Sequence, residues 1–480
     1  MADGQGWVSV GARLAVRAPF RAPHDASGAL HARGKGAPPA WLRGTLYRTA
    51  PARFTAGAWE SGHWFDALGM LYAFALEADG ATLRWRDLDC AFAREVREGR
   101  RDRASFATPM RRALLGRLRD PVPATTDNAN VNIVPRGDAL VALTESAHEL
   151  VIDPVTLEVR GEHAWQDTLG PLQSLAHPTF DAARDRWVNL GVALHGRPAV
   201  VVFEHDRQGR ARREVGRWHP GRVPYLHSFG LTERFVLLIG HPLTVNPLSM
   251  LFSDRGFIEH FAWDASAPTR LAVMDRATGA VREVTAPGVF VFHTIDAFED
   301  TNGDLVLDVL TYPDPGIIEQ LRSSALAESS RSLCARPARW RIAPGAAAVT
   351  VESLGDESFE FPQVDPRFDG ARRRLMWGAQ ITLGDRASTS RLVAIDRASG
   401  SVKAYSQESV VHGEPVFVGR PGATEEGDGV LLSVGSHADA SRATLAVLDA
   451  RSMERLASAS VDIDLPLGFH GGFARARDPR

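Results

Sequence analysis

The chain has 480 residues, is 44% hydrophobic and 24% charged, and carries a formal net charge of -3 at pH 7. That balance is ordinary for a folded soluble protein and gives no electrostatic case for a nucleic-acid partner, which requires a basic face. The only two cysteines, Cys90 and Cys334, stand far apart without a CxxC spacing, so a disulfide framework is excluded and a reducing, cytoplasmic setting is expected.

A chain of this length exceeds the usual single core and is either two or three domains or one large repeat architecture. The N-terminal stretch lacks the apolar core of a signal peptide, and no segment approaches the roughly 20 apolar residues of a membrane span. Residues 1–40 are expected as a partly ordered extension. The best helical signal is "MRRALLGRLR", where Met110, Leu114, Leu115 and Leu118 share one face. A strand–turn–strand pattern then recurs, in "ELVIDPVTLEVRGE", "VVFEHDRQGRARREVG", "LAVMDRATGAVREV", "LVAIDRASGSVKAY" and "LAVLDARSMERLAS". In each, an aliphatic run ends in Asp, whose side chain can cap the turn, and a glycine often follows to supply a positive φ.

Those aspartates, at 153, 206, 275, 396 and 449, are separated by 53, 69, 121 and 53 residues. The longest interval reads as two units whose middle hairpin has diverged. A period of roughly 50 to 65 residues suits an all-β propeller of about six to eight blades. Two tandem β-sandwiches are the alternative. Hairpins that continue to the C-terminus without a Pro/Gly/Ser-rich linker favour one closed ring. In such a ring the last strand lies beside the first, which gives the terminal "DLPLGFHGGF" a structural reason to be so carefully shaped.

There are 16 histidines and none falls in an HExxH or HxH cluster. Taken singly, each reads as a surface or hydrogen-bonded core residue. Four share a setting: His177 in "SLAHPTFD", His227 in "YLHSFGLTERFVLL", His293 in "FVFHTIDAFED" and His470 in "PLGFHGGF". Each stands at the edge of a strand and is followed by small or turn-forming residues. Inner strands of a propeller face its axis, so four such imidazoles could converge on one ion. Spacings of 50, 66 and 177 residues do not decide this, because metal motifs are usually local.

At these residues the chain resembles the carotenoid oxygenases, the family of carotenoid and apocarotenoid cleavage dioxygenases, stilbene-cleaving dioxygenases and the retinoid isomerohydrolase. The likeness runs from about Gly44 onward through "GTLYRTAP", "HWFDALGMLYAF", "DNANVNIVPRGDALVALTE", the four histidine segments, "FEFPQVDPRF" and "GEPVFVGRPG". It implies a seven-bladed β-propeller spanning 41–480 as one catalytic domain. A dome of loops and short helices, including about 98–125 and 241–265, would cover an axial metal site. It implies one Fe(II) per chain on His177, His227, His293 and His470, with Glu145, Glu360 and Glu414 accepting hydrogen bonds from ligating imidazoles. The chain departs from the family at "RTAP", at "FDALGM" and at Asp296, where an Asn is common; none of these removes a ligand or a glutamate.

The resemblance further implies oxidative scission of an alkene by dioxygen to give two carbonyl products. Stilbene cleavers commonly carry lysine before the first glutamate, where this chain has Thr144, which favours a hydrophobic carotenoid or apocarotenoid over a stilbenoid or other aryl alkene. Val131 would stand near the metal. Peripheral contact with a membrane is expected through "MRRALLGRLR" and "PLSMLFSDRGFIEHFAW", which mix exposed-type leucines and aromatics with arginines. A non-catalytic, lipid-binding propeller is the alternative of a different class. Matched imidazoles and carboxylates argue against it, since an idle site has no physical need for them.

Overall fold

The computed structural model describes residues 9–476 apart from 16, 78–79, 195, 329, 369, 385–387 and 440. The first eight residues of the expected N-terminal extension lie outside the described residues.

The hairpins set the architecture. Asp153 accepts from the backbone N–H of Val155 and Thr156 at 2.7 and 2.8 Å, Asp275 from Ala277 and Thr278 at 2.9 and 2.8 Å, and Asp449 from Arg451 and Ser452 at 3.0 and 2.7 Å. Four residues after the aspartate the backbone turns left-handed, at Gly279 (φ 73°) and Gly400 (φ 69°) but also at Leu157 (φ 60°) and Met453 (φ 63°). A side chain there is strained. Leu157 and Met453 are 1% and 2% exposed, so burying each apolar side chain, about 1.5–3 kcal/mol, offsets the backbone cost.

The fifth hairpin lies inside a larger sheet, and the first four each form the outer pair of an antiparallel meander. Asn132–Arg136, Ala139–Leu143, Glu149–Ile152 and Val159–Glu162 make one, and four more are built around Arg186–Ala193, Phe235–Gly240, Leu305–Tyr312 and Leu375–Leu383. The long interval between repeats contains the hairpin Arg336–Ile342 with Thr350–Ser353, whose turn has no aspartate. Neighbouring sheets pack face to face, Val200 and Val202 against Val236 and Leu238, and Leu237 and Ile239 against Leu307 and Val309. Central strands are therefore covered on both faces, which explains uninterrupted runs such as "AVVVF".

A ten-stranded sheet joins the ends of the chain. Ser27–Gly36 pairs on one side with Gly80–Asp87 and on the other with Arg455–Val461, so part of the expected extension is built into the largest sheet. The C-terminal strand Gly471–Arg475 pairs with Gly44–Arg53, with Gly471 opposite Arg48.

Helices are short among the described residues, and none is long and apolar enough to cross a membrane. The expected helix at Met110–Arg119 is corrected to Leu114–Arg119. Met110 donates its N–H to the Asp254 carbonyl at 2.8 Å, and Arg112 pairs with the Asp254 carboxylate at 3.0 Å, which pins 110–112 outside the helix. Met110 is consequently buried, while Leu114, Leu115 and Leu118 are 68, 80 and 60% exposed.

A Cβ at Gly471 would lie 2.0 Å from the Tyr47 carbonyl oxygen, whereas one at Gly472 meets nothing within 4 Å. Gly471→Ala is expected to lower stability by about 1–3 kcal/mol and Gly472→Ala by less than about 0.5 kcal/mol, read from urea midpoints. Equal midpoints would mean that this strand contact does not hold the ends together.

Candidate metal centre

Four inner strand edges bring His177, His227, His293 and His470 into one cluster. His177 precedes Thr179–Asp181, His227 precedes Phe229–Leu231, His293 lies within Phe290–Glu299, and His470 directly precedes Gly471–Arg475. Register shifts flank His293; irregularities of this kind re-aim a side chain out of the regular alternation. His470 is fixed through its backbone, donating to the Val131 carbonyl at 3.1 Å and accepting from the Thr49 N–H at 3.1 Å. Gly468 and Gly471 on either side of it are close-approach positions: a Cβ at Gly468 would lie 2.8 Å from the Tyr72 hydroxyl.

One ring nitrogen from each histidine lies within 4.8 Å of the others. Ring centroids of His177 are 4.4 Å from His227, 5.3 Å from His293 and 4.5 Å from His470. His293 Nε2 is 3.3 Å from His470 Nε2.

Three carboxylates stand behind three of the imidazoles. His227 Nδ1 bonds to Glu145, His293 Nδ1 to Glu360 at 2.6 Å, and His470 Nδ1 to Glu414 at 2.8 Å. Each bond makes Nδ1 the donor and leaves the Nε2 lone pair turned toward the cluster. The second carboxylate oxygens are also held. The Tyr225 hydroxyl donates to Glu145 at 3.0 Å, Tyr312 shares its hydroxyl proton between Glu360 at 2.8 Å and the Leu333 carbonyl at 2.9 Å, and Arg48 forms a buried ion pair with Glu414. Burial and the adjacent carboxylate push both tyrosine hydroxyls well above their ordinary range, which keeps them protonated. Burial would raise the Glu414 carboxyl, but Arg48 and His470 hold it below its usual value. Glu360 starts a strand whose next residue, Phe361, adopts φ 56°, a sparsely populated conformation for a bulky residue.

Among the described residues no carboxylate stands behind His177. Both its ring nitrogens are closed off from solvent without a hydrogen-bond partner of ordinary geometry. Burial, reinforced by its three imidazole neighbours, holds its pKa well below the usual histidine value, and burial also lowers His470 against the pull of Glu414. Imidazoles with inward lone pairs, one of them otherwise unsatisfied, fit a metal ion that accepts nitrogen ligands.

His227, His293 and His470 form part of the wall of a cavity of about 120 Å³. Its walls include Phe65, Phe106, Phe292, Phe361 and Phe469, together with Thr144 and Val131. No lysine or arginine lines it among the described residues. Asp66 is also on the wall, but its oxygens are committed to the N–H groups of Phe106, Ala107 and Thr108 and to the Thr108 hydroxyl, at 2.7 to 2.9 Å.

Sequence reading overlooked Arg48, Tyr225 and Tyr312. Arg48 stands in "RTAP", read only as a departure, and Tyr225 lies two residues before His227; both signals are visible once the cluster is known. Asp296, another departure, is buried in ion pairs with Arg373 and with Arg397 at 3.2 Å. Asp296 and its partners stand away from the imidazoles and join adjacent sheets.

The retinal pigment epithelial membrane protein family profile matches residues 19–475. Carotenoid cleavage dioxygenase 8 homolog A, chloroplastic, of Oryza sativa subsp. japonica is 32% identical, covering 91% of this chain and 84% of that protein. Apocarotenoid-15,15'-oxygenase of Synechocystis sp. is 28% identical over 92% of both chains, and beta,beta-carotene 15,15'-dioxygenase of Mus musculus is 27% identical over 92% of this chain and 89% of that one. The crystal structure of cobalt-substituted Synechocystis apocarotenoid oxygenase superimposes with a TM-score of 0.82, at 24% identity, over 97% of this chain and 98% of that chain; at that identity the likeness establishes the fold alone.

Buried histidines also occur outside the cluster. Burial lowers His63 to about 3 and His205, His241 and His412 to about 4. In the unfolded chain these groups take up protons near 6.5, so between about 6.5 and 4 the unfolded state binds more protons and stability falls as pH falls. Each group contributes a slope of up to about 1.4 kcal/mol per pH unit. Urea midpoints measured from pH 7 to pH 4.5 are expected to decline, with a shallower decline for His412→Leu; the same slope in that variant would show that His412 is not held neutral.

Proposed function

The chain belongs to the retinal pigment epithelial membrane protein family, the carotenoid oxygenases, and from that premise we propose that it is a non-haem Fe(II) dioxygenase cleaving a C=C bond of a carotenoid or apocarotenoid into two aldehydes. Four imidazoles drawn together beside an aromatic-lined cavity carry this assignment. One iron per chain would be held by His177, His227, His293 and His470. The chemistry that ferrous iron supplies when bound is activation of dioxygen for addition across an alkene.

The protein's own residues do the positioning. Glu145, Glu360 and Glu414 fix three imidazole tautomers. The phenylalanines of the wall exclude water and grip a flat polyene, so the depth to which it enters selects the double bond over the centre. Thr144 and the absence of a cationic lining residue leave nothing to stabilise a phenolate, which weighs against a stilbenoid. With the oxygens of Asp66 committed to four donors, no general acid or base is assigned.

We read the framework as seven blades in a single domain that takes in Ser27–Gly36 together with 41–480. Five meanders and a ten-stranded sheet that divides into two at Ser27–Gly36 support that count. Segments 98–125 and 241–265 are read as the dome: Phe106 and Phe257 line the cavity, and the two segments are tied by the Phe252 N–H donating to the Pro121 carbonyl at 2.9 Å. On the outer side of the same segments Leu114, Leu115, Leu118, Leu248 and Phe252 are 51–80% exposed. We assign this surface to peripheral membrane contact, where a water-insoluble polyene would be collected.

Protein prepared without oxygen, loaded with Fe(II) and then given an apocarotenal and air is expected to release aldehydes, and His293→Ala to lose both iron and turnover. A wild-type chain that takes up no iron, or that cleaves a hydroxystilbene and no polyene, would overturn the assignment. The paired change Leu115→Glu and Leu248→Glu is expected to weaken vesicle co-sedimentation by about tenfold or more while sparing cleavage of detergent-dispersed substrate. Unaltered co-sedimentation would remove this surface from consideration.

A further inference from the structure

Arg48 is 2% exposed and lies on Gly44–Arg53, opposite Gly471. Its guanidinium pairs with one oxygen of Glu414 and donates to the Phe469 carbonyl at 2.8 Å. The other Glu414 oxygen receives His470 Nδ1 at 2.8 Å. The corresponding oxygens of Glu145 and Glu360 are held by neutral phenols, Tyr225 at 3.0 Å and Tyr312 at 2.8 Å.

A neutral donor therefore suffices to orient a carboxylate in this shell. A buried guanidinium is a costly substitute for one, which leaves its charge as the property that distinguishes it. Among the described residues, three carboxylates and one guanidinium touch the four imidazoles or their partners, a net of two negative charges. A divalent cation balances that shell; a trivalent one leaves a positive charge uncompensated in a poorly screened interior.

Building on the ferrous assignment above, we propose that Arg48 is a positioning residue that sets the charge of the metal shell, acting through Glu414 and His470 to match it to a divalent ion and to disfavour its one-electron oxidation. The couple concerned is a ferric ion plus one electron giving a ferrous ion, the electron supplied by an electrode through a mediator. The four imidazoles are then unequal. His227 and His293 lean on carboxylates with neutral donors, His470 on a carboxylate already half of an ion pair, and His177 on none.

The test is the midpoint potential of the iron-loaded protein in a charge series, with no turnover needed. Arg48→Met makes the shell more negative and is expected to favour ferric over ferrous iron by tenfold or more, a potential lower by about 59 mV or more. Glu414→Gln is expected to shift it at least as far the other way. Arg48→Lys and the double variant Arg48→Met with Glu414→Gln are expected to stay within about threefold of wild type. Potentials that ignore this ordering, or that fall alike in every variant, would overturn the proposal and reduce Arg48 to an anchor for the His470 loop. If Arg48→Met alone fails to hold iron, the double variant against Glu414→Gln still compares the same single charge and decides the matter. Iron-loaded wild type that cleaves nothing would sink the cleavage assignment without touching this series, and wild type that binds no iron would sink both.

Discussion

The pairing of Gly471–Arg475 with Gly44–Arg53 does two things at once. It ties the last strand of the chain to one of the first, and it carries His470 to three imidazoles contributed by other sheets. The same strand presents Arg48 to Glu414, so the His470 imidazole and the counter-charge to its carboxylate are held through one set of backbone hydrogen bonds. A separate bridge, Ser27–Gly36 between the first and last hairpin systems, relieves the terminal strand of closing the framework alone. With the four imidazoles contributed from different sheets, a displacement at one junction would alter the distances within the cluster.

Burial does much of the chemical tuning. It lowers the pKa of His177 and of His470, which suits a cation, and the carboxylates behind three of the imidazoles tolerate burial because both oxygens of each are held. The aromatic part of the wall, with Phe65 against Phe469 at 5.2 Å and against Phe292 at 6.0 Å, stands beside the same centre. Charges are used elsewhere as rivets: Asp308, fully buried, takes Arg339 at 2.8 Å and Arg397 at 2.6 Å, joining the sheet of Leu305–Tyr312 to that of Thr389–Asp396.

Much of this was legible in the amino-acid sequence because hairpins are local. An aspartate that accepts from the backbone N–H groups just after it shapes its own turn, with a left-handed residue four positions on in four copies and three on, at Gly209, in the fifth, and five copies imply a repeated sheet. The helix at Met110–Arg119 was misjudged for the opposite reason. Its periodicity was genuine, but the Asp254 carbonyl and carboxylate, from a segment about 140 residues further along, capture Met110 and Arg112 first, and the shortened helix turns its leucines outward. The residues expected from "PLSMLFSDRGFIEHFAW" likewise divide: Leu248 is 70% exposed and Ile258 is 7% exposed, a division that depends on which side of the segment the rest of the protein covers.

By itself the sequence determined the class of fold, the turns and the seven side chains worth watching, since each follows from short-range pattern or from motifs in order. Only the tertiary structure decided that four imidazoles separated by up to 293 residues share one centre, that His177 lacks a carboxylate, and that Arg48 and two tyrosines complete the shell. Those relations depend on distances through space between strands far apart in the chain, and no local preference of a backbone or side chain encodes them.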